Sequence, residues 1–497
     1  MKRWVIAGIV VFWLGTTGWL VVSEVMPGVL TRAAINYRSM LSEGLLIADN
    51  WMRITLRGEP IGYSHTKIEA DEENPLARYQ VYNHTVLNVT VMGEQQDVRV
   101  TARASLDALY HLQNFVFAMS SREYTLTVSG RRVTGETFAV TMRSGGNTDR
   151  ARIEIPDDAI VYSPMLELAL RQLKPGQETR VRIFNPVSMA TGTMTVEALR
   201  RETIEVRGEE VETTVVAGEY QGMEILSWID PDGRAVRQET AFGWRLEACD
   251  PEDALAAGSG GQNAEDILLA LAVPASRPIA DPRSVARLTL RLHGPALSAA
   301  ALESHRQRIV EEVDGGIELV VSRESLPDSG LPLGAAPPEM QPFLEGSSFI
   351  QVSHPRIARR ARAIVEGETD SLRAALAIYR WVFENVRKTP TVSVPSAADV
   401  LDIMSGDCNE HTYLFTALAR AAGIPARITV GLTYNEGAFY YHAWPSVYVG
   451  RWVEMDPTLG QPAVDATHIR LLQGELQDQM KLMGMIGQLR VEVLETP

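Results

Sequence analysis

The stretch from Trp51 to Glu247 restricts the fold more than any other part of this 497-residue chain. Short runs of alternating apolar and polar residues, such as Val98-Arg-Val-Thr101, Tyr124-Thr-Leu-Thr-Val128 and Val181-Arg-Ile-Phe184, recur along it and are rich in Thr and Val. That period of two is the pattern of half-buried strands. Turn chemistry separates the runs at Ser129-Gly130, Ser144-Gly-Gly-Asn147, Lys174-Pro-Gly176 and Pro231-Asp-Gly233. The pattern predicts a large, curved antiparallel sheet or open barrel, interrupted by one helix near Met165 to Leu173. His65, His84 and His111 stand apart within it and read as surface or packed polar residues rather than catalysts.

Before this region, Lys2 and Arg3 precede an apolar run from Trp4 to Val22 that carries no charge. As a helix the run would span about 28 Å, enough for a hydrocarbon core. Ser23-Glu-Val-Met-Pro-Gly28 follows it without a small-residue cleavage site, which favours an uncleaved anchor over a signal peptide. Basic residues before the run and Glu24 after it orient the N-terminus to the cytoplasm. The expectation is a single-pass protein of a bacterial inner membrane, with its bulk periplasmic or otherwise extracytoplasmic.

After the strand-rich region, Ala254 to Gly261 reads as a flexible linker by composition. Val285 to His293 and Gly316 to Val321 read as strands of a small bridging piece. Leu326 to Pro338, with four prolines, reads as a second hinge. The resulting division is an anchor at 1–27, an antiparallel β-rich domain at 28–253, a linker with a bridging β segment at 254–335, and an α+β domain at 336–497. A formal net charge of −15 repels phosphate backbones and argues against nucleic acid as a partner. Two cysteines, Cys249 and Cys408, cannot make a disulfide framework, and no CxxC suggests zinc. Cys249 has no polar motif around it and reads as structural.

The last quarter carries the chemistry. Arg356 to Val365 and Ser371 to Val386 have helical periodicity, the first with an arginine-rich face that reads as solvated. Ser396 is a plausible cap for a short helix that ends at Ser405-Gly-Asp-Cys408. Cys408 then opens an apolar-periodic helix stopped by Gly423-Ile-Pro425. A thiol in the first turn of a helix meets unpaired N–H groups and the positive end of the dipole, which favour the thiolate. Ala426 to Gly431 and Phe439 to Trp444 read as strands, and Val447 to Val449 with Trp452 to Met455 as a hairpin. His442 lies on the second strand and Asp456 ends the last one. Neighbouring strands can bring the two together against the helix, giving thiol, imidazole and orienting carboxylate. A helix from Gln473 to Ile486 and a final strand from Leu489 to Leu494 complete the chain.

Gly406-Asp-Cys408-Asn-Glu-His411, Ala419-Arg-Ala-Ala-Gly-Ile-Pro-Ala-Arg427, His442-Ala-Trp444 and Asp456-Pro-Thr458 together resemble the core of the transglutaminase-like superfamily, across roughly residues 343 to 472. The resemblance implies a papain-like catalytic fold with Cys408 as nucleophile, His442 as general base and acid, and Asp456 as the orienting carboxylate. Ser446 stands where many relatives have an acidic residue. No dense acidic loop of the calcium-binding type appears, so neither a metal nor another cofactor is expected. Trp444 is expected to pack beside His442, and His411 to be structural. Asp465-Ala-Thr-His468 recurs in similar domains without an assigned role.

The implied activity is cysteine-dependent acyl transfer on protein or peptide amides through an acyl-enzyme. Resolution by water makes a peptidase or amidase, the expectation here; resolution by a lysine amine makes a cross-linking transamidase. A non-catalytic envelope scaffold is the rival from another class, although inert relatives normally lose a triad member.

Overall fold

The computed structural model describes residues 48–71, 78–108, 111–122, 124–161, 173–241, 243–259, 266–295, 297–313, 316–394 and 396–495. The apolar run at 4–22 and nearly all of the helix expected at 165–173 lie outside the described residues. Among those described, no helix is long and apolar enough to cross a membrane.

The β-rich region forms one fifteen-stranded sheet. The first eight strands, Ala48–Leu56 through Asn147–Glu154, run as an up-and-down meander. The chain then crosses to the far edge and returns strand by strand, until Trp244–Ala248 pairs antiparallel with Ala48–Leu56. Short turns dictate this order, because each hairpin can only lay its second strand beside its first. One pair departs from the expected antiparallel pattern: Ala159–Val161 runs parallel to Glu178–Asn185 at the sheet edge.

The described part of the segment expected to be a flexible linker is helical. Pro251–Ser259 is a helix with Ala254 and Ala257 buried, and the Gly258 carbonyl accepts from Asn88. The small alanines and the glycine that read as a linker are what let this helix lie close to the sheet. The second hinge is pinned as well: the Gly330 amide donates to Asp370 Oδ2 at 2.7 Å, and the Leu333 amide to the Thr369 carbonyl at 2.8 Å.

The bridging strands are Arg287–His293, Gln307–Val313 and Gly316–Ser322. The last strand of the chain, Arg490–Glu495, joins them and pairs with Arg287–His293. The helix expected over 473–486 is broken: Leu476–Gln479 is α-helical and Met480–Gly484 is a 3-10 turn. Gly474 and Gly484 bound this stretch, and glycine is a poor helix former.

In the C-terminal domain the helix Cys408–Ala421 is central. Every residue from Glu410 to Arg420 is buried, the mark of a helix covered on all sides. Helices Pro355–Ile364, Ser371–Asn385 and Ala397–Ile403 and the strand Ala438–Tyr448 pack around it. Ser396 precedes the third of these helices but makes no side-chain cap bond, because its hydroxyl accepts from Gln351 instead. Ala438–Tyr448 is central in a five-stranded sheet, beside Ala426–Asn435 on one side and Val273–Pro274 with Trp452–Glu454 on the other.

The large sheet touches the segment that leads to the nucleophile. Tyr124 donates to the Ser405 carbonyl at 2.6 Å, and Gln96 to the Pro390 carbonyl at 3.0 Å. Ser144 and Asn147, at the tip of one hairpin, donate to the buried carboxylate of Asp399.

Candidate active site

The nucleophile helix starts at a reciprocal cap. Asp407 Oδ1 accepts from the Asn409 amide at 2.9 Å, and Glu410 Oε2 accepts from the Asp407 amide at 2.7 Å. Gly406 makes this possible, since a Cβ there would stand 2.3 Å from Glu410 Cγ. Cys408 is the first helical residue, so its own N–H has no intrahelical acceptor.

His442 is delivered from the neighbouring strand. Thr412 Oγ1 ties the helix to the Ala443 carbonyl at 3.1 Å, next to His442 in the chain. Gly431 pairs directly with His442 and lies so close to the following strand that a Cβ would stand 1.9 Å from the Ile469 carbonyl oxygen. His442 Nε2 is 2.8 Å from Asp456 Oδ2, with both residues buried. The other carboxylate oxygen, Oδ1, accepts from the amides of Thr458 and Leu459 at 2.8 and 2.9 Å. Nδ1 is thus the ring nitrogen left for the thiol. Among the described residues no hydrogen bond joins the sulfur to His442.

Burial pushes the Asp456 carboxyl toward the neutral form, but the charge and hydrogen bonds of His442 and His468 outweigh it and hold the group far below the usual carboxylate range. The thiol departs from the sequence-based expectation. Burial and then the Asp407 carboxylate push Cys408 well above an ordinary thiol, against the Ala443 amide, which favours the thiolate. The helix dipole acts on the sulfur, but the half-buried thiol has lost part of its water, and the capping Asp407 carboxyl, itself pushed up by burial and Glu410, sits beside it.

The sequence reading named the triad but not its support. His468 Nε2 lies 3.0 Å from the same Asp456 Oδ2, and its Nδ1 lies 3.2 Å from Asp465 Oδ1. Arg283 Nη1 meets Asp465 Oδ2 at 3.1 Å. Trp444 packs beside His442 as expected, with ring centroids 6.0 Å apart, and its Nε1 donates to Glu454 Oε2 at 2.9 Å. Arg306 pairs with that carboxylate at 2.6 Å, the two side chains being 2% and 1% exposed, and also donates to the Asp465 carbonyl at 2.8 Å. Arg283 and Arg306 belong to the bridging segment and had no motif to mark them; the Asp465/His468 pair had been visible without a role. His411 is structural, its Nδ1 lying 2.6 Å from the Asp407 carbonyl. Ser446, where the resemblance led one to expect an acidic residue, is buried with no hydrogen-bond partner for its hydroxyl among the described residues. His442, Asp456 and His468 could be read as a metal cluster, but their nitrogen-to-oxygen separations of 2.8 and 3.0 Å are those of shared protons.

Comparison with known proteins bears on the C-terminal domain. Residues 358–457 match the Transglutaminase-like superfamily. An uncharacterised protein of Haemophilus influenzae is 34% identical over a region covering 15% of this chain and 24% of its own, so the match spans about a quarter of that relative. Among solved structures, a Cytophaga hutchinsonii protein provisionally described as a cysteine protease aligns with 43% of this chain and 89% of its own, at 18% identity and a TM-score of 0.31. The periplasmic domain of TgpA from Pseudomonas aeruginosa, solved bound to ethylmercury, aligns with 38% and 83%, at 16% identity and a TM-score of 0.26. A β-barrel-like protein of unknown function from Brucella abortus aligns with 41% and 97%, at 11% identity and a TM-score of 0.30. The chain therefore carries a transglutaminase-like domain, spanning residues 358–457.

Proposed function

We propose that this protein is a cysteine hydrolase that cleaves peptide or protein amides through an acyl-enzyme on Cys408. The observation that carries the reading is the buried 2.8 Å bond between His442 Nε2 and Asp456 Oδ2, on a strand packed against a helix whose first residue is the thiol.

Because burial and Asp407 raise the thiol, the resting nucleophile is S–H, and attack is assisted by His442 acting as general base. The sulfur attacks the amide carbonyl as its proton passes to Nδ1 of His442. The carbonyl oxygen becomes an oxyanion beside the Cys408 N–H at the helix N-terminus. His442 then gives the proton to the leaving amine as the C–N bond breaks. Water attacks the thioester, with His442 again taking and returning a proton, and frees the acid. Asp456 stays ionised throughout and holds the imidazole with Nε2–H toward itself.

The apolar run from Trp4 to Val22 and the basic residues before it support a location at the outer face of a bacterial inner membrane. Contacts from the large sheet to Ser405, Pro390 and Asp399 support a role for that sheet in holding the nucleophile segment. The test is incubation of the full chain with a library of peptides, with and without a primary amine. Hydrolysed products that require Cys408 support the hydrolase; amine adducts in preference to acids identify a transamidase; neither product, with intact folding, leaves the scaffold reading.

A further inference from the structure

We infer that His468 is a positioning residue for the reaction: a buried cation that shares Asp456 with His442, aims the carboxylate and leaves His442 free to act as a base. This rests on the acyl-transfer reading above and extends it to a residue outside the matched 358–457 segment.

Ionised carboxylates only accept hydrogen bonds. Asp456 Oδ2 receives His468 Nε2 at 3.0 Å, and Asp465 Oδ1 faces His468 Nδ1 at 3.2 Å. Asp465 Oδ1 already accepts from the amide and hydroxyl of Thr467 at 2.7 and 2.6 Å, so it offers no proton to the ring. With an acceptor at each nitrogen, His468 donates twice and carries the charge. The ring is fully buried and stands edge-on to Trp444, centroids 5.1 Å apart at 88°. Burial opposes the charged form, and the bonds to Asp456 and Asp465 raise the ring's proton affinity above the ordinary value. Arg283 on Asp465 completes an alternating chain of charges that ends at His442.

The arrangement solves an electrostatic problem. A carboxylate taken out of water is costly unless charges or hydrogen bonds compensate it. A second donor on the same oxygen supplies that compensation, so His442 is not the carboxylate's sole side-chain partner. The same contact fixes the Oδ2 direction, while the Thr458 and Leu459 amides fix Oδ1. Other titratable groups close enough to act on Asp456 or be acted on by it are Tyr379, which burial and then Asp456 push up to about 12, His411 and Cys408. None of them donates to Oδ2.

The experiment measures acetylation of Cys408 by p-nitrophenyl acetate across pH in the full chain, for wild type, His468→Gln, Asp465→Asn and His442→Ala. Gln retains a donor for Asp456 without charge. The account expects an acylation rate at neutral pH about 10- to 100-fold lower in His468→Gln, from the misaimed base. It also expects the acid-side inflection to move to higher pH, because loss of the buried cation leaves the site more negative, with half-saturating ester unchanged. Asp465→Asn, which is isosteric, shifts the inflection in the same direction by less, and decides the question should His468→Gln not fold. A folded Asp465→Asn and a folded His468→Gln that both keep the wild-type inflection overturn the inference, as does a wild-type inflection in the folded one alone. If His442→Ala itself acylates like wild type, it is the acyl-transfer reading that fails.

Discussion

His442 and His468 converge on one atom: their Nε2 nitrogens lie 2.8 and 3.0 Å from Asp456 Oδ2. The carboxylate cannot move toward one ring without lengthening its bond to the other, so the catalytic imidazole is anchored through a fully buried neighbour. The first consequence concerns the anchor itself. Asp456→Asn keeps the shape but presents a neutral amide, and acylation of Cys408 is expected to fall about 10³- to 10⁴-fold, as for loss of a triad carboxylate. Stopped-flow release of p-nitrophenol reads it, and an unchanged thermal midpoint separates the effect from unfolding.

The capping carboxylate beside the thiol makes a second prediction. Asp407→Asn keeps a good N-cap and removes the charge that, after burial, most raises Cys408. The thiol of the variant titrates at lower pH than wild type, seen as thiolate ultraviolet absorbance or as faster iodoacetamide alkylation near neutrality. An upward shift, or none, contradicts the electrostatic account of the site.

Behind the site, Arg306 and Glu454 form a pair with almost no solvent contact. Removing one member leaves the other as an uncompensated buried charge, at a cost of about 3–5 kcal/mol. Arg306→Met is therefore expected to lower the urea midpoint of the C-terminal domain sharply. The double variant Arg306→Met/Glu454→Gln recovers part of that loss, because the stranded charge is gone.

Stability should depend on pH in a defined direction. Asp456 and Asp465 are held below the usual carboxylate range, by His442 and His468 for the first and His468 for the second, despite burial. Their contribution is present above the unfolded carboxylate value of about 3.9 and is lost as pH falls through the folded values. His468 is raised, so its contribution is complete below about 6.5 and is lost as pH rises through its folded value. Thermal midpoints are expected to decline on both sides of the interval from about 4 to 6.5. Asp465→Asn flattens the acid side.

Much of this was legible locally. The helix that begins at Cys408, the strands that carry His442 and precede Asp456, and the long meander all follow from apolar period and turn residues, which act over a few positions. The misses came from information that is not local. Ala254 to Gly261 read as a linker because alanine and glycine are ambiguous until the surface that buries Ala254 and Ala257 is known. Arg283 and Arg306 lie more than a hundred residues from Asp465 and Glu454, and nothing in their neighbourhoods marks them. The thiol's direction was misjudged because the helix-dipole argument left out both desolvation and the carboxylate at the preceding residue.

Gly431 offers a purely steric check on the same architecture. It sits opposite His442 and under the Ile469 carbonyl, one residue from His468. Gly431→Ala forces backbone apart at both histidines, so activity and thermal midpoint fall together, whereas a silent substitution would mean that the strands are not so closely apposed.

The most direct measurement of the central claim is the site and rate of acylation in the full chain. After brief exposure to p-nitrophenyl acetate, peptide mapping by mass spectrometry is expected to find the acetyl group on Cys408, absent in Cys408→Ala and formed at least about 10³-fold more slowly in His442→Ala. Acetylation spread over lysines with none on Cys408, or a Cys408 rate indifferent to His442, would contradict it.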